Sequence, residues 1–177
     1  MNDMTLTTPR LTLTPPAAGD LPHYVAFYGA SDVAVGGYRG GRTSAEIAAV
    51  HQADMDHWKA KGFGMFLIRD ANDAFIGGAG IKHPDGWPRH ELTWFLLPAA
   101  RGQGYATEAS RAVLTFGYET LGWHVVETHM RDENAPARRL VERLGGQKVT
   151  RQVFPDGVSR DVFALPKAAR TGQEDAA

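Results

Sequence analysis

The chain has 177 residues, a formal net charge of -1, 43% hydrophobic and 22% charged residues, and no cysteine. This length suits one domain with a sizeable core, expected over residues 1–167, with a small polar tail, 168–177, that frays. The charge balance argues against nucleic acid as a primary partner. The missing cysteines exclude disulfides, a cysteine nucleophile and a thiolate metal site, which fits a reducing cytoplasm.

The start, Met1 to Thr5, has no basic region followed by an apolar stretch, so no signal peptide is expected. No apolar run approaches the roughly 20 residues that span a bilayer. Arg10 to Thr14 alternates like a short strand and stops at Pro15-Pro16. Asp20 is expected to cap a helix running to about Tyr28. Gly36 to Gly41 reads as a loop. Thr43 and Glu46 form a capping box that opens a helix towards Lys61, with Ile47, Val50, Met55 and Trp58 among its apolar positions and a stop at Gly62. Met65 to Ile68 and Phe75 to Ile81 form a strand pair across Asp70-Ala71-Asn72-Asp73. Gly77, Gly78 and Gly80 in the second strand mark weakness, a bulge or a close approach.

After a loop at Pro84 to Pro88, His90 to Leu97 is a strong strand ended by Pro98. A helix from about Gly104 runs to Leu121 and stops at Gly122. Val125 to Met130 is a strand. Asn134 caps a short helix with Pro136 in its first turn, ending at Gly145-Gly146. Val149 to Phe154 and Val158 to Leu165 close the chain as a hairpin. The order is mixed α and β, with an antiparallel start and one strand–loop–helix–strand crossover.

That crossover holds the most informative run, Arg101-Gly102-Gln103-Gly104-Tyr105-Ala106 followed by Thr107-Glu108. Two glycines allow a tight turn and close approach to a ligand. The free N–H groups and positive dipole end of a helix start suit a phosphate or pyrophosphate. A Walker A loop is excluded because Tyr105 stands where lysine is required. A dinucleotide fingerprint fails at its third small residue, where Thr107 stands, and lacks the matching acidic residue.

Glu91 to Pro98 followed by Arg101 to Ala109 resembles the acetyl-CoA signature of the GNAT N-acetyltransferases. Arg101, Gly104 and Ala106 satisfy its Gln/Arg-x-x-Gly-x-Gly/Ala pattern. Thr8-Pro9-Arg10-Leu11-Thr12-Leu13 is similar to the opening strand of the RimJ/RimL-like branch, which acetylates ribosomal-protein N-termini. Asn134 to Gly145 resembles that branch's Asn-x-x-Ser-x-Arg-x-x-Glu-Lys-x-Gly. The likeness runs from Thr8 to Leu165. It implies a central twisted, mixed but mostly antiparallel sheet of about seven strands, flanked by about four helices. It also implies acetyl-CoA as cosubstrate with no metal. In this reading the backbone of Arg101, Gly102, Gln103, Gly104, Tyr105, Ala106 and Thr107 holds the CoA pyrophosphate. Phe95, Leu96 and Leu97 pair with the pantetheine amides, and an N–H there polarises the thioester carbonyl. Asn134 bonds the CoA arm, caps its helix, or does both. Arg101, Arg138 and Arg139 are candidates for the phosphates.

The family reaction is direct attack of an amine on the thioester, with which the absence of cysteine agrees. The amine must first lose a proton, and an α-amine (pKa about 7.7–8.0) does so more readily than a lysine (about 10.4). Glu91, on the strand feeding the loop, is the first candidate base. His90 points to the opposite face, His129 is a second candidate, and His51, His57 and His83 carry no pattern. The family's acid, a tyrosine in the helix after Asn134, is replaced by Val141, and Ala137 stands where the branch often has serine. Tyr105 is expected to pack rather than act as the acid. The acceptor is a peptide N-terminus or a small-molecule amine, in a pocket formed by loops Val35 to Arg42 and His83 to Pro88, with Tyr38, Arg39 and Trp87 as lining. A homodimer stays open. Two other readings compete: an acyl-CoA sensor without catalysis, suggested by Val141 and Ala137, and a structural protein with a plain glycine turn.

Overall fold

The computed structural model describes residues 4–31 and 40–167. Strands β1 (Leu6–Thr7), β2 (Thr12–Thr14), β3 (Met65–Arg69), β4 (Phe75–Lys82) and β5 (Glu91–Leu96) form one antiparallel sheet in that order. Strands β6 (Val126–Met130), β7 (Gln147–Val153) and β8 (Ser159–Leu165) form a second, in the order β6-β8-β7. The fold is mixed α and β, as expected, and among the described residues it has four α-helices and eight strands in two sheets, one strand more than expected. The extra strand is β1. Its two residues are too few to show an alternation, and only pairing with β2 defines it.

Period-2 alternation decides what β3 does. Met65 and Leu67 face one helical layer, where they meet Tyr24, Phe27 and Ile47. Phe66 and Ile68 face the other, in the larger core with Ile81, Leu92, Val113, Phe116 and Leu140. The first layer holds α1 (Leu21–Ala30) and α2 (Ser44–Lys61); the second holds α3 (Tyr105–Thr115) and α4 (Ala135–Arg143). None of the described helices is long and apolar enough to cross a membrane.

The glycines of β4 mark close approaches, and the strand is also irregular beside Gly77, where Ile68 pairs with Gly77 but Arg69 pairs with Phe75. A Cβ on Gly78 would sit 2.6 Å from the Phe95 ring, and one on Gly80 would strike the carbonyl of Gly64.

Two local expectations need correction. Asp20 stands at the N-cap of α1 but its carboxylate does not cap it. It accepts instead from the Ala17 N–H at 2.8 Å and from Arg69 at 3.1 Å. The buried stripe of α2 carries Ile47, His51, Asp54 and Trp58, while Met55 is only half-buried. Asp54 is tolerated there because the Tyr24 hydroxyl (2.8 Å) and Lys82 Nζ (3.0 Å) meet its carboxylate. The capping box is formed as read, with Thr43 Oγ1 accepting from Glu46 N at 3.2 Å and Glu46 Oε1 from Thr43 N at 3.3 Å.

α3 is shorter than its pattern predicts. It widens into a π turn over Phe116–Thr120. That turn brings the Tyr118 hydroxyl onto the Leu165 carbonyl, and the same oxygen accepts from Val126 N at 3.1 Å. The π turn thereby ties α3 to the second sheet.

Candidate active site

The two sheets meet at β5 and β6 without forming a ladder. The Thr128 hydroxyl donates to the Leu92 carbonyl at 2.8 Å, and His90 Nε2 accepts from Glu127 N at 2.9 Å. Among the described residues no hydrogen bond joins the two strands beyond Leu92, so a gap opens towards the C-terminal end of β5. Leu97 N donates to the Ile76 carbonyl at 2.8 Å. Antiparallel alternation then turns the backbone groups of Phe95 and Leu97 towards β4, and those of Trp94 and Leu96 towards the gap. Of the three residues expected to pair with a pantetheine arm, only Leu96 faces that way with its backbone. Trp94, which was not singled out, does the same. Phe95 contributes its ring, packed 4.3 Å from that of Phe27.

Gly102 and Gly104 both adopt left-handed backbone, φ 77° and 78°, a region that strains residues with a Cβ. Gly104 is the N-cap of α3. Arg101 N closes a turn onto the Pro98 carbonyl, and Glu108 N makes the first helical bond to Gly104. Between them, the N–H groups of Gly102, Gln103, Gly104, Tyr105, Ala106 and Thr107 have no acceptor among the described residues. A run of unpartnered donors at the positive end of a helix is chemically suited to a diphosphate.

The loop is braced from behind by Arg10. Its guanidinium donates to Glu108 Oε2 (2.7 Å) and to the Gln103 carbonyl (2.9 Å), and it lies 4.5 Å over the Tyr105 ring. Burial pushes the Glu108 carboxyl up, but the bonds from Thr8 and Arg10 outweigh it and hold it below its usual range. This brace spans about a hundred residues of sequence, and no local signal announces it.

Beside the loop lies a cavity of about 490 Å³, lined by Trp94, Phe95 and Leu96 of β5, Arg101 and Gly102 of the loop, and Pro136, Arg139 and Arg143 of α4, among others. Its cationic wall differs from the expected one. Arg138 points to the second sheet, where it meets Asp161 at 3.2 Å. Arg139, one helical step on, lines the cavity with Arg143, whose Nε also donates to Thr107 Oγ1 at 3.3 Å. Asn134 caps α4 by accepting from Ala137 N at 3.3 Å, and it lines a second cavity.

This second cavity, about 390 Å³, holds Glu91 together with Lys82, Thr93, Trp87, His129 and Arg160. Trp87 is at the cavity, whereas the expected partners Tyr38 and Arg39 lie outside the described residues. Glu91 keeps 36% of its side-chain exposure, yet it sits under enough protein that desolvation lifts its carboxyl to about 7, against the pull of Lys82 and Arg160. His129 Nε2 lies 3.7 Å from Glu91 Oε2. Its imidazole is lowered to about 4 by burial, then by Arg160 and Arg89, so it is neutral at pH 7 and a poor base. His90 is turned away, bonded to the Glu127 amide. Val141 and Ala137 are buried in the core, and neither can donate a proton.

An antiparallel sheet, a gap at its last strand, and unpartnered amides at the following helix form a cleft whose chemistry suits an extended arm ending in a diphosphate. Residues 10–147 match the family model described as the acetyltransferase (GNAT) domain. The chain belongs to that family of acetyl-CoA-dependent acyltransferases. Among solved structures, an acetyltransferase from Agrobacterium tumefaciens superposes with a TM-score of 0.81 and 29% identity, covering 94% of this chain and 96% of that one. A proposed ribosomal-protein-serine acetyltransferase from Vibrio cholerae shares the fold with a TM-score of 0.76 at 20% identity, covering 93% and 98%. The uncharacterised N-acetyltransferase YnaD of Bacillus subtilis is 29% identical over 79 residues, 45% of this chain and 46% of that protein. The chain thus aligns with about half the length of that curated relative.

Proposed function

We propose that this protein transfers the acetyl group of acetyl-CoA to a primary α-amine, that of a peptide N-terminus or of a small molecule, within the RimJ/RimL-like branch. Acetyl-CoA supplies an activated acyl carbon and a leaving thiolate, so no covalent enzyme intermediate is needed. The unpartnered amides of Gly102 to Thr107, with Arg139 and Arg143, bind the diphosphate. The backbone of Trp94 and Leu96 orients the arm in the gap, with an N–H there for the carbonyl oxygen. Glu91 accepts the ammonium proton, directly or through one water. The thiolate leaves unprotonated and takes its proton from solvent.

The observation that carries this reading is the run of unpartnered amides from Gly102 to Thr107 after β5. Glu91, first residue of that strand, is supported as the base by its place in the second cavity, where burial raises its carboxyl to about 7. Taking a proton from an α-ammonium of pKa about 8 costs Glu91 about 1.4 kcal/mol. From a lysine-like ammonium at about 10.4 the same transfer costs about 4.6 kcal/mol. A base near 7 therefore leaves only a small cost for an α-amine, while a lysine-type amine costs roughly 3 kcal/mol more with any base. The motif likenesses of the opening strand and of α4 support the branch.

An acceptor screen tests the proposal. CoA release is measured with peptides of varied first residue, small amino compounds, and lysine or polyamine controls. Turnover on α-amines exceeding that on lysine-type amines is the expected outcome. Acetyl-CoA binding with no turnover on any amine would favour a sensor instead.

A further inference from the structure

Among the described residues the buried imidazoles are those of His51 and His129, and His57 and His90 are half-buried. His51 Nε2 meets the Ala17 carbonyl at 2.8 Å. His57 bonds the Phe63 carbonyl at 2.7 Å and accepts from His83 N at 3.0 Å. His90 accepts from Glu127 N. His129 has a side chain only 3% exposed, yet neither ring nitrogen has a hydrogen-bond partner among the described residues. An orphaned buried polar group calls for a reason, because an apolar ring would fill the same space without it.

The surroundings fix where that ring can act. Phe154 packs at 4.2 Å between centroids and Trp87 lies parallel to it at 6.1 Å, so its plane is set by stacking. The charged groups around it are already committed. Arg160 of β8 makes paired bonds to Asp156 at 2.9 and 2.7 Å. Arg89, just before β5, bonds both oxygens of Glu127, and Lys82 of β4 pairs with Asp54. Arg131, just after β6, and Asn134, the cap of α4, line the same cavity. The contact left to the imidazole is Glu91 Oε2, 3.7 Å from Nε2.

We infer that His129 is a positioning residue for Glu91: its neutral Nε2–H donates to Oε2 once the acceptor binds, leaving Oε1 free for the amine proton. This rests on the reading of Glu91 as the base. The 3.7 Å gap is long for a hydrogen bond, and such bonds commonly tighten only when substrate is present. A neutral donor steadies the carboxylate without placing another positive charge beside an incoming ammonium. His129 cannot take the proton onward, because burial leaves it far less basic than its neighbour.

The test compares His129→Phe, which keeps the stack but has no donor, with His129→Gln, whose amide can replace Nε2–H. The pH profile of kcat, which reports the acceptor-bound enzyme, shows the acid limb of Glu91 in the state where the bond is made. In the Phe variant the limb should move up by about one pH unit, with kcat falling roughly tenfold; Gln should restore its position. A purely structural role would lower stability while leaving the limb in place, and that result overturns the inference. Carbon-13 titration of the Glu91 carboxyl with the acceptor bound and acetyl-CoA withheld reads the same shift without turnover. It therefore separates failure of this inference from failure of Glu91 as base, which an unaltered rate in Glu91→Gln would reveal. Nitrogen-15 spectra of the unsubstituted protein need no variant at all. An Nε2–H tautomer is expected, and an Nδ1–H tautomer refutes the inference.

Discussion

Replacing Glu91 by Gln should stabilise the protein increasingly as pH rises. The folded carboxyl stands at about 7 against an ordinary 4.5, with desolvation the main cause. Between those values the folded chain keeps a proton that the unfolded chain has released. Stability therefore falls as pH climbs through the window. Fully realised, about 2.5 pH units are worth ~3.4 kcal/mol. Water reaches about a third of the side chain, and its screening reduces the expected effect to about 2 kcal/mol. Gln has the same shape and no charge to desolvate, so the variant escapes this cost. Urea unfolding of both proteins at half-unit steps from pH 4.5 to 8 gives the comparison. The stability difference should be smallest at pH 4.5, grow through pH 7, and level off above it. His129, with its folded value lowered to about 4, gives an opposite slope between pH 4 and 6.5. That slope is common to both proteins and drops out of the difference. A difference constant across pH would refute the desolvation reasoning, and with it the match between Glu91 and an α-amine. The same substitution should cost most of the activity, a stability–function trade expected where a charge is kept out of water for chemistry.

Gly104→Ala meets no steric obstacle, since the nearest atom to a new Cβ is Arg10 Nη2 at 3.5 Å. Its φ of 78° nonetheless carries a cost of about 1–2 kcal/mol. A lowered melting temperature together with a raised KM for acetyl-CoA is expected from thermal and steady-state measurements. Arg139→Ala and Arg143→Ala should each raise that KM several-fold, about 1 kcal/mol per lost charge-assisted contact, and should flatten its salt dependence. Arg138→Ala should leave KM unchanged and cost at most about 1 kcal/mol in stability, because Lys148 and Arg151 still meet Asp161 at 3.0 Å.

Much of the architecture was legible because its signals are local. The capping box at Thr43 and Glu46, the loop glycines and the alternation of the strands each report on a few neighbouring residues, and the elements formed where those signals lie. The ordered motifs from Thr8 to Gly145 identified the family on the same basis. What sequence order could not carry were contacts between distant segments. The Arg10–Glu108 brace, the burial of Asp54 against Lys82, the turning of Arg138 away from α4's open face and the pairing of Glu91 with His129 all depend on where the sheets meet. The chemistry of the site belongs to this second group. A glutamate on a strand is an ordinary acid until neighbouring elements take water from it. Only tertiary packing set that desolvation, and it raised Glu91 into range of an α-amine and left His129 neutral beside it.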